Sequence, residues 1–298
     1  MIKILFVCHG NICRSPMAEF VLKDMVNRLG MSDRVSIQSA ATSSEEIWNG
    51  VGNPVYPPAR EVLEKHGIEC QGKRAVQLRA SDYDTADYLI GMDEANIRNM
   101  EGITGHTGGK IYKLLFFAGR DASISDPWYS GRFDETYEDI VKGCRAFLDK
   151  LQAVLADLDR LEEKDNTTAY KALQTLEQLS DESGMLYPFT ERFAAMVQEQ
   201  RTYLRVRGFR LLCKQAKWDQ DGLLDKYLPS ALSILWDEKP TVVRQALGAL
   251  KDVVSYQPKL REMVVQAIAD IDDTPYPETM QPLIAKDVKA LLEQIQGQ

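Results

Sequence analysis

Nine consecutive residues, Cys8-His9-Gly10-Asn11-Ile12-Cys13-Arg14-Ser15-Pro16, have the types and spacing that chemistry on a phosphate ester needs. Backbone N–H groups that follow one another into a helix N-terminus make an anion cradle. His9, Gly10, Asn11, Ile12, Cys13 and Ser15 are therefore the candidate phosphate-binding positions, with His9 read as a rim residue. Gly10 lets the backbone turn without a Cβ clash, and Asn11 tolerates the left-handed conformation better than most residues. Cys8 opens the loop inside the same positive field, which favours its thiolate. Arg14 can close over the anion with a planar fork that holds two oxygens at once. Ser15 can donate its hydroxyl toward the thiolate. The chemistry implied is attack of sulfur on phosphorus through a covalent thiophosphate. The loop amides and Arg14 would stabilise the equatorial oxygens. A cysteine and an arginine at this spacing arise by chance, but here every position of the run has a task.

The run must be held between a strand and a helix. Ile2 to Cys8 is a short apolar run rich in β-formers, read as a buried strand. Ser15 to Leu29 has helical periodicity through Met17, Phe20, Val21, Met25 and Leu29, with Pro16 in the first turn. Further strands are expected at Val35 to Ala41, Asp87 to Met92 and Ile111 to Phe117. Helices are expected at Pro58 to His66, at Glu94 to Met100 and from Glu135 onward. Strand–helix alternation implies an α/β domain with a four-stranded parallel sheet covered on both faces. Ligands of such sheets bind outside the carboxyl ends of the strands, where the nine-residue run lies.

The 298 residues suit two domains, and 44% hydrophobic with 27% charged residues is an ordinary globular balance. The 36 basic and 44 acidic side chains are shared between the halves, with no basic tail, so no nucleic-acid or membrane partner is expected. No apolar run reaches the ~18 residues of a membrane span, and the first run is too short for a signal-peptide core. The protein reads as cytoplasmic. Cys8, Cys13, Cys70, Cys144 and Cys213 are odd in number and scattered, which suits free thiols in a reducing compartment. His9, His66 and His106 are far apart and no zinc-type pair occurs, so no metal and no cofactor is expected. His66, before Gly67 at a helix end, reads as structural.

The nine-residue run resembles the signature loop of the low-molecular-weight protein tyrosine phosphatase family. The likeness covers about residues 1–150 and includes Ser39-Ala40 and Thr42, Met92-Asp93 with Asn96, and Asp126-Pro127-Trp128-Tyr129. The resemblance implies the family's three-layer fold over residues 1–155. It makes Cys8 the nucleophile, Arg14 the phosphate clamp and Asp126 the general acid, followed by base duty toward water. It also implies a deep slot for an aromatic ring with walls from Trp128 and Tyr129, and with Trp48 opposite, behind the inserted Ser44, Glu45, Glu46 and Ile47. In the family, the cysteine equivalent to Cys13 pairs reversibly with the nucleophile under oxidation. Arg60 follows Tyr56-Pro57-Pro58-Ala59, where the family often has Asp-Pro-Arg-Ala, so no role transfers to that turn. Phosphoarginine phosphatases of the family carry threonine where Ile12 stands. Ile12 offers no hydroxyl to a guanidinium and suits a phenyl ring. The expected substrate is a phosphotyrosine-containing protein or peptide, with phosphoarginine as the alternative. A phosphate-recognising scaffold is the rival class, although nucleophile and acid together speak for turnover. Thioredoxin-coupled arsenate reductases share the loop but need two more cysteines, which are absent between Cys70 and Cys144.

Residues 156–298 read as a separate all-α domain, with helices near 167–180, 188–200, 202–216, 221–236, 240–254, 258–271 and 278–295. Echoes recur at 36–37 residues, among them Val206-Arg207 with Val243-Arg244 and Leu176 with Leu212. Such periods mean stacked helical pairs. Asp237-Glu-Lys-Pro240, followed by Val242, Val243, Arg244 and Ala246, resembles the opening of a HEAT-type repeat. This half is read as a docking or regulatory domain with a protein partner. Arg201, Arg205, Arg207 and Arg210 form a basic cluster, read as a helix face with a buried arginine before a partner patch.

Overall fold

The amino-terminal apolar run forms β1 (Ile2–Cys8) in the computed structural model, which describes residues 1–297. Its side chains from Ile4 to Cys8 are all buried, as a central parallel strand covered on both faces requires. The chain continues through α1 (Arg14–Arg28), β2 (Val35–Ala41), the small hairpin β3 (Ile47–Trp48) and β4 (Val51–Gly52), and α2 (Pro57–Lys65). Then follow α3 (Ser81–Thr85), β5 (Tyr88–Gly91), α4 (Glu94–Thr104), β6 (Ile111–Lys113), α5 (Pro127–Ser130) and α6 (Phe133–Arg160). The sheet is parallel with strand order β2-β1-β5-β6, and the register pairs Cys8 with Ala41 and Val7 with Gly91. The carboxyl ends of β1, β2 and β5 therefore lie side by side, and the chemical loop emerges at that edge.

The chain divides into two compact units, Met1–Ala153 and Val154–Gln298. Helix α6 contributes its residues to the first unit as far as Ala153 and to the second from Val154.

Two expectations in the first unit change. The strand expected at Ile111 to Phe117 ends at Lys113, and Leu114–Phe116 wind into a 3-10 turn. The turn buries the consecutive Leu114 and Leu115 together, whereas a strand would send them to opposite faces. The helix expected at Glu94 to Met100 runs on to Thr104, where Gly105 at φ 77° caps it.

The second unit contains α7 (Asn166–Glu182), α8 (Thr190–Val197), α9 (Thr202–Lys214), α10 (Leu223–Ala231), α11 (Pro240–Tyr256), α12 (Arg261–Ala269) and α13 (Gln281–Gln296), with no strand among the described residues. Its 3-10 turns at Leu232–Trp236 and Pro258–Leu260 occupy stretches expected as plain helix, and a third, Gly184–Phe189, fills the break before the helix expected from 188. Helix α9 packs on α7, α8 and α11, and α11 packs on α13. The helices α7, α9, α11 and α13 begin at residues 166, 202, 240 and 281, at intervals of 36, 38 and 41. The arginine cluster does not form an open basic patch. Arg205 binds Asp237, Arg207 donates to the Leu161 carbonyl at 2.6 Å, and Arg210 chelates Glu177 at 2.8 and 2.7 Å. Neighbouring segments supply acceptors at the right reach for these three arginines, so their charges are met within the unit. Among the described residues, no helix is long and apolar enough to cross a membrane.

Candidate active site

Cys8 ends β1, and its sulfur lies 3.0 Å from the Ser15 hydroxyl in the first turn of α1. Asn11 takes the left-handed conformation at φ 55° and ties the loop to its surroundings. Its amide nitrogen donates to Ser15 Oγ and Ser39 Oγ, both at 2.8 Å, and its oxygen accepts from the Val76 amide at 3.0 Å. Ser39 in turn donates to the buried Glu19 carboxylate at 2.5 Å, which Lys73 neutralises at 2.9 Å and Lys23 at 2.5 Å. A continuous chain of buried polar groups thus runs from Lys73 and Glu19 through Ser39, Asn11 and Ser15 to the Cys8 sulfur. Buried groups so fully satisfied fix one geometry. Among the described residues, none accepts a hydrogen bond from the backbone amides of His9, Gly10, Asn11, Ile12 or Cys13. These amides remain available to an anion.

Gly10 lies close against Glu46. A Cβ built there would stand 3.0 Å from Glu46 Cγ. Cys13 closes the loop, and burial pushes its thiol well above the ordinary range, with the neighbouring Cys8 and Asp126 adding to the shift.

Arg14 is buried at the start of α1, with three partners from distant segments. One nitrogen binds Asp93 at 2.5 Å and the Ile124 carbonyl at 3.1 Å, and the other binds Asp126 at 2.6 Å. Burial alone would disfavour the guanidinium charge. The Cys8 sulfur, Asp126 and Asp93 outweigh it and hold Arg14 above its ordinary value. Asp93 is itself fixed as the N-cap of α4, accepting from the Asn96 amide at 2.7 Å.

Asp126 caps α5 through the Trp128 amide at 3.1 Å. Its segment is anchored by the Ile124 amide on the Met92 carbonyl at 2.8 Å and by the Trp128 ring on Tyr56, centroids 4.9 Å apart. The Tyr56 amide donates to the Ile12 carbonyl at 2.9 Å, so Tyr56 joins the Asp126 segment to the loop after β1.

Cys8, His9, Gly10, Ile12, Cys13, Arg14, Asp126, Trp128 and Tyr129 line one cavity of about 160 Å³, together with Glu45 and Glu46. Trp128 and Tyr129 are 53% and 88% exposed, so the aromatic side is an open mouth and the depth comes from the loop. Asn11 and Ser15 stand behind the cavity as supports. Trp48 is not among the lining residues. It sits on β3 at 70% exposure, and the inserted residues before it turn Glu45 and Glu46 into the mouth instead. Sequence reading missed Glu19, Lys73, Tyr56 and the grip of Asp93 on Arg14. The only signal for them was the family pattern around Ser39 and Asp93. His66 and His106 stack on Tyr137 and Tyr83 at 4.1 and 4.0 Å, outside this cavity. Among the described residues, no group of three or more His, Cys, Asp and Glu could hold a metal ion.

Residues 3–157 match the family model of the low molecular weight phosphotyrosine protein phosphatases. The chain belongs to this family. It is 36% identical over 155 residues to the low molecular weight protein-tyrosine-phosphatase YfkJ of Bacillus subtilis, covering 51% of this chain and 97% of that one. It is 33% identical over 150 residues to PtpA of Staphylococcus aureus, covering 50% and 93%. Among solved structures, YfkJ of Bacillus subtilis shares 35% identity with a TM-score of 0.48, covering 51% of this chain and 95% of the other. A low molecular weight phosphatase from Streptococcus pyogenes shares 40% identity with a TM-score of 0.45, covering 51% and 93%. The family-model match spans nearly all of the first unit and the four residues that follow it.

Proposed function

We propose that the chain is a protein-tyrosine phosphatase that hydrolyses phosphotyrosine through a cysteinyl-phosphate on Cys8. The observation that carries this reading is that Cys8, Arg14 and Asp126, from opposite ends of the first unit, line one small cavity whose floor is the phosphate loop. The phosphate settles on the loop amides and Arg14. Its oxygens compete with Asp126 for the guanidinium. Cys8 Sγ then attacks phosphorus, the bond to the tyrosine oxygen breaks, and Asp126 gives its proton to that oxygen. The Ser15 hydroxyl, 3.0 Å from the sulfur, stabilises the thiolate before attack and as it leaves. In the second half, water attacks phosphorus while Asp126 takes a proton from it. The sulfur–phosphorus bond breaks and inorganic phosphate departs.

Ile12, apolar and lining the cavity, suits a phenyl ring and gives a guanidinium nothing to bond. Cys13 shares the cavity with Cys8, which supports the family's reversible thiol protection. The five free thiols suit a reducing, cytoplasmic setting. We read residues 1–155 as the catalytic domain and 156–298 as a HEAT-like repeat that docks a protein partner. Start intervals of 36, 38 and 41 residues and the α7-α9-α11-α13 row support the repeat reading.

The test is initial rates on matched phosphotyrosine and phosphoarginine peptides, with the Cys8→Ser variant as control. Phosphotyrosine turnover that Cys8→Ser abolishes, while phosphate binding persists, is the expected outcome. Preference for phosphoarginine would overturn the substrate, and unaltered turnover in Cys8→Ser would overturn the covalent mechanism. Binding without any turnover would favour the scaffold alternative.

A further inference from the structure

The mouth of the cavity carries a charge that the proposed chemistry does not use. Arg14 is the fixed cation among its lining residues, and Asp93 and Asp126 already hold it. The carboxylates among the lining residues are Asp126, Glu45 and Glu46. Placing carboxylates beside a site for a phosphate dianion is unfavourable unless they meet a cation that arrives with the substrate. The two glutamates are fixed in place by the local fold. The Asn53 side chain donates to Glu46 at 2.7 Å and the Asn53 amide donates to the Glu46 carbonyl at 2.8 Å, across the β3–β4 hairpin. The side chain of Glu46 then lies against Gly10, where a Cβ would meet it at 3.0 Å. Glu45 reaches over the loop to His9 at 3.0 Å, with its N–H held by Ser43 Oγ at 3.2 Å. Trp128 and Tyr129, both substantially exposed, line the same mouth. The lining therefore combines negative charge with aromatic faces, which also attract cations.

We propose that Glu45 and Glu46 are specificity-determining residues that select phosphotyrosines flanked by lysine or arginine and turn away those with acidic flanks. This inference rests on the phosphotyrosine reading of the site and refines its substrate class. A basic side chain beside the phosphotyrosine reaches the carboxylates at the rim once the ring fills the cavity. A glutamate in the same place adds to a cluster already negative. The selection acts on encounter and binding, so it appears mainly in KM and is weakened by salt.

The experiment measures kcat/KM of the full chain on three peptides that differ only in the residues beside the phosphotyrosine: arginine, alanine or glutamate. At low salt the arginine peptide should exceed the glutamate peptide by roughly tenfold, the order expected for one or two solvent-exposed ion pairs replacing repulsions. The ratio should shrink toward one in about 0.5 M salt, where the Debye length is only a few ångströms. Glu45→Gln with Glu46→Gln should bring the low-salt ratio to about twofold, and Glu45→Lys should favour the glutamate peptide. Glu45 is exposed, so its variants keep the proposal testable should Glu46→Gln disturb the hairpin. Equal rates on the three peptides, or a ratio unchanged in the glutamine variants, overturn the inference while leaving phosphotyrosine hydrolysis standing. No turnover of any of the three overturns the phosphotyrosine reading and this inference with it.

Discussion

The two units use their polar groups to different ends. In the helical unit, charges close on one another across neighbouring helices: Arg210 on Glu177, Lys214 on Asp181 and Asp252, Arg244 on Asp287, and the Tyr187 hydroxyl on Asp219 at 2.8 Å. These ion pairs run between α7, α9, α11 and α13. In the sheet unit, the chain from Lys73 through Glu19, Ser39, Asn11 and Ser15 converges on a sulfur and on a loop whose amides find no protein acceptor. Charges paired with one another tie helices together, whereas consecutive loop amides left without a protein acceptor offer a place for an anion.

The contrast can be broken at several points. The largest expected effect is at the acid. Asp126→Asn keeps a side chain that can cap α5 but has no proton to give. It should lower kcat on phosphotyrosine by about 10²- to 10³-fold, and by much less on an aryl phosphate whose leaving group needs no proton. An equal loss on both substrates would remove Asp126 from proton transfer. A smaller effect is expected at Tyr56, which joins the acid segment to the phosphate loop. Tyr56→Ala should cost about tenfold in kcat with little change in the affinity for inorganic phosphate, because the loop stays while the acid loosens. Unchanged kcat would make the Trp128 stack mere packing. The smallest effect on turnover is expected from the helical unit. Arg207→Met leaves the Leu161 carbonyl and the Asn166 side chain without their donor. Thermal unfolding should show a loss of about 2–3 kcal/mol, with kcat per folded molecule unchanged within twofold. A loss of kcat in the folded protein would instead tie the helical unit to catalysis.

The strand at Val35–Ala41 and the loop chemistry were plain in the sequence because each rests on a local pattern: alternation of burial in one case, nine adjacent residues in the other. Asp126 needed the family pattern, since nothing near it in sequence says that it folds back onto Arg14. Glu19 was hidden for a related reason. On α1 it reads as one more acidic helix residue, and its burial depends on Lys73, Lys23 and Ser39 arriving from elsewhere. The stretch from Leu114 to Phe117 misled because an apolar run has the same composition in a strand and in a tight turn. Trp48 was hard to place because it follows a short insertion, and it is Glu45 and Glu46 of that insertion that line the mouth. The helices of the second unit were visible by periodicity, but their 3-10 ends were not, because those depend on how each helix meets its neighbour.

The union of Cys8 and Asp126 in one cavity has a consequence for the newly made chain. On a ribosome adding some 5–20 residues per second, the acid is synthesised roughly ten seconds after the nucleophile. Throughout that interval the reactive thiol exists without Asp126 and without the segment that carries it. On the proposed mechanism, the nascent chain therefore holds the thiols of Cys8 and Cys13 well before the acid that would complete the site.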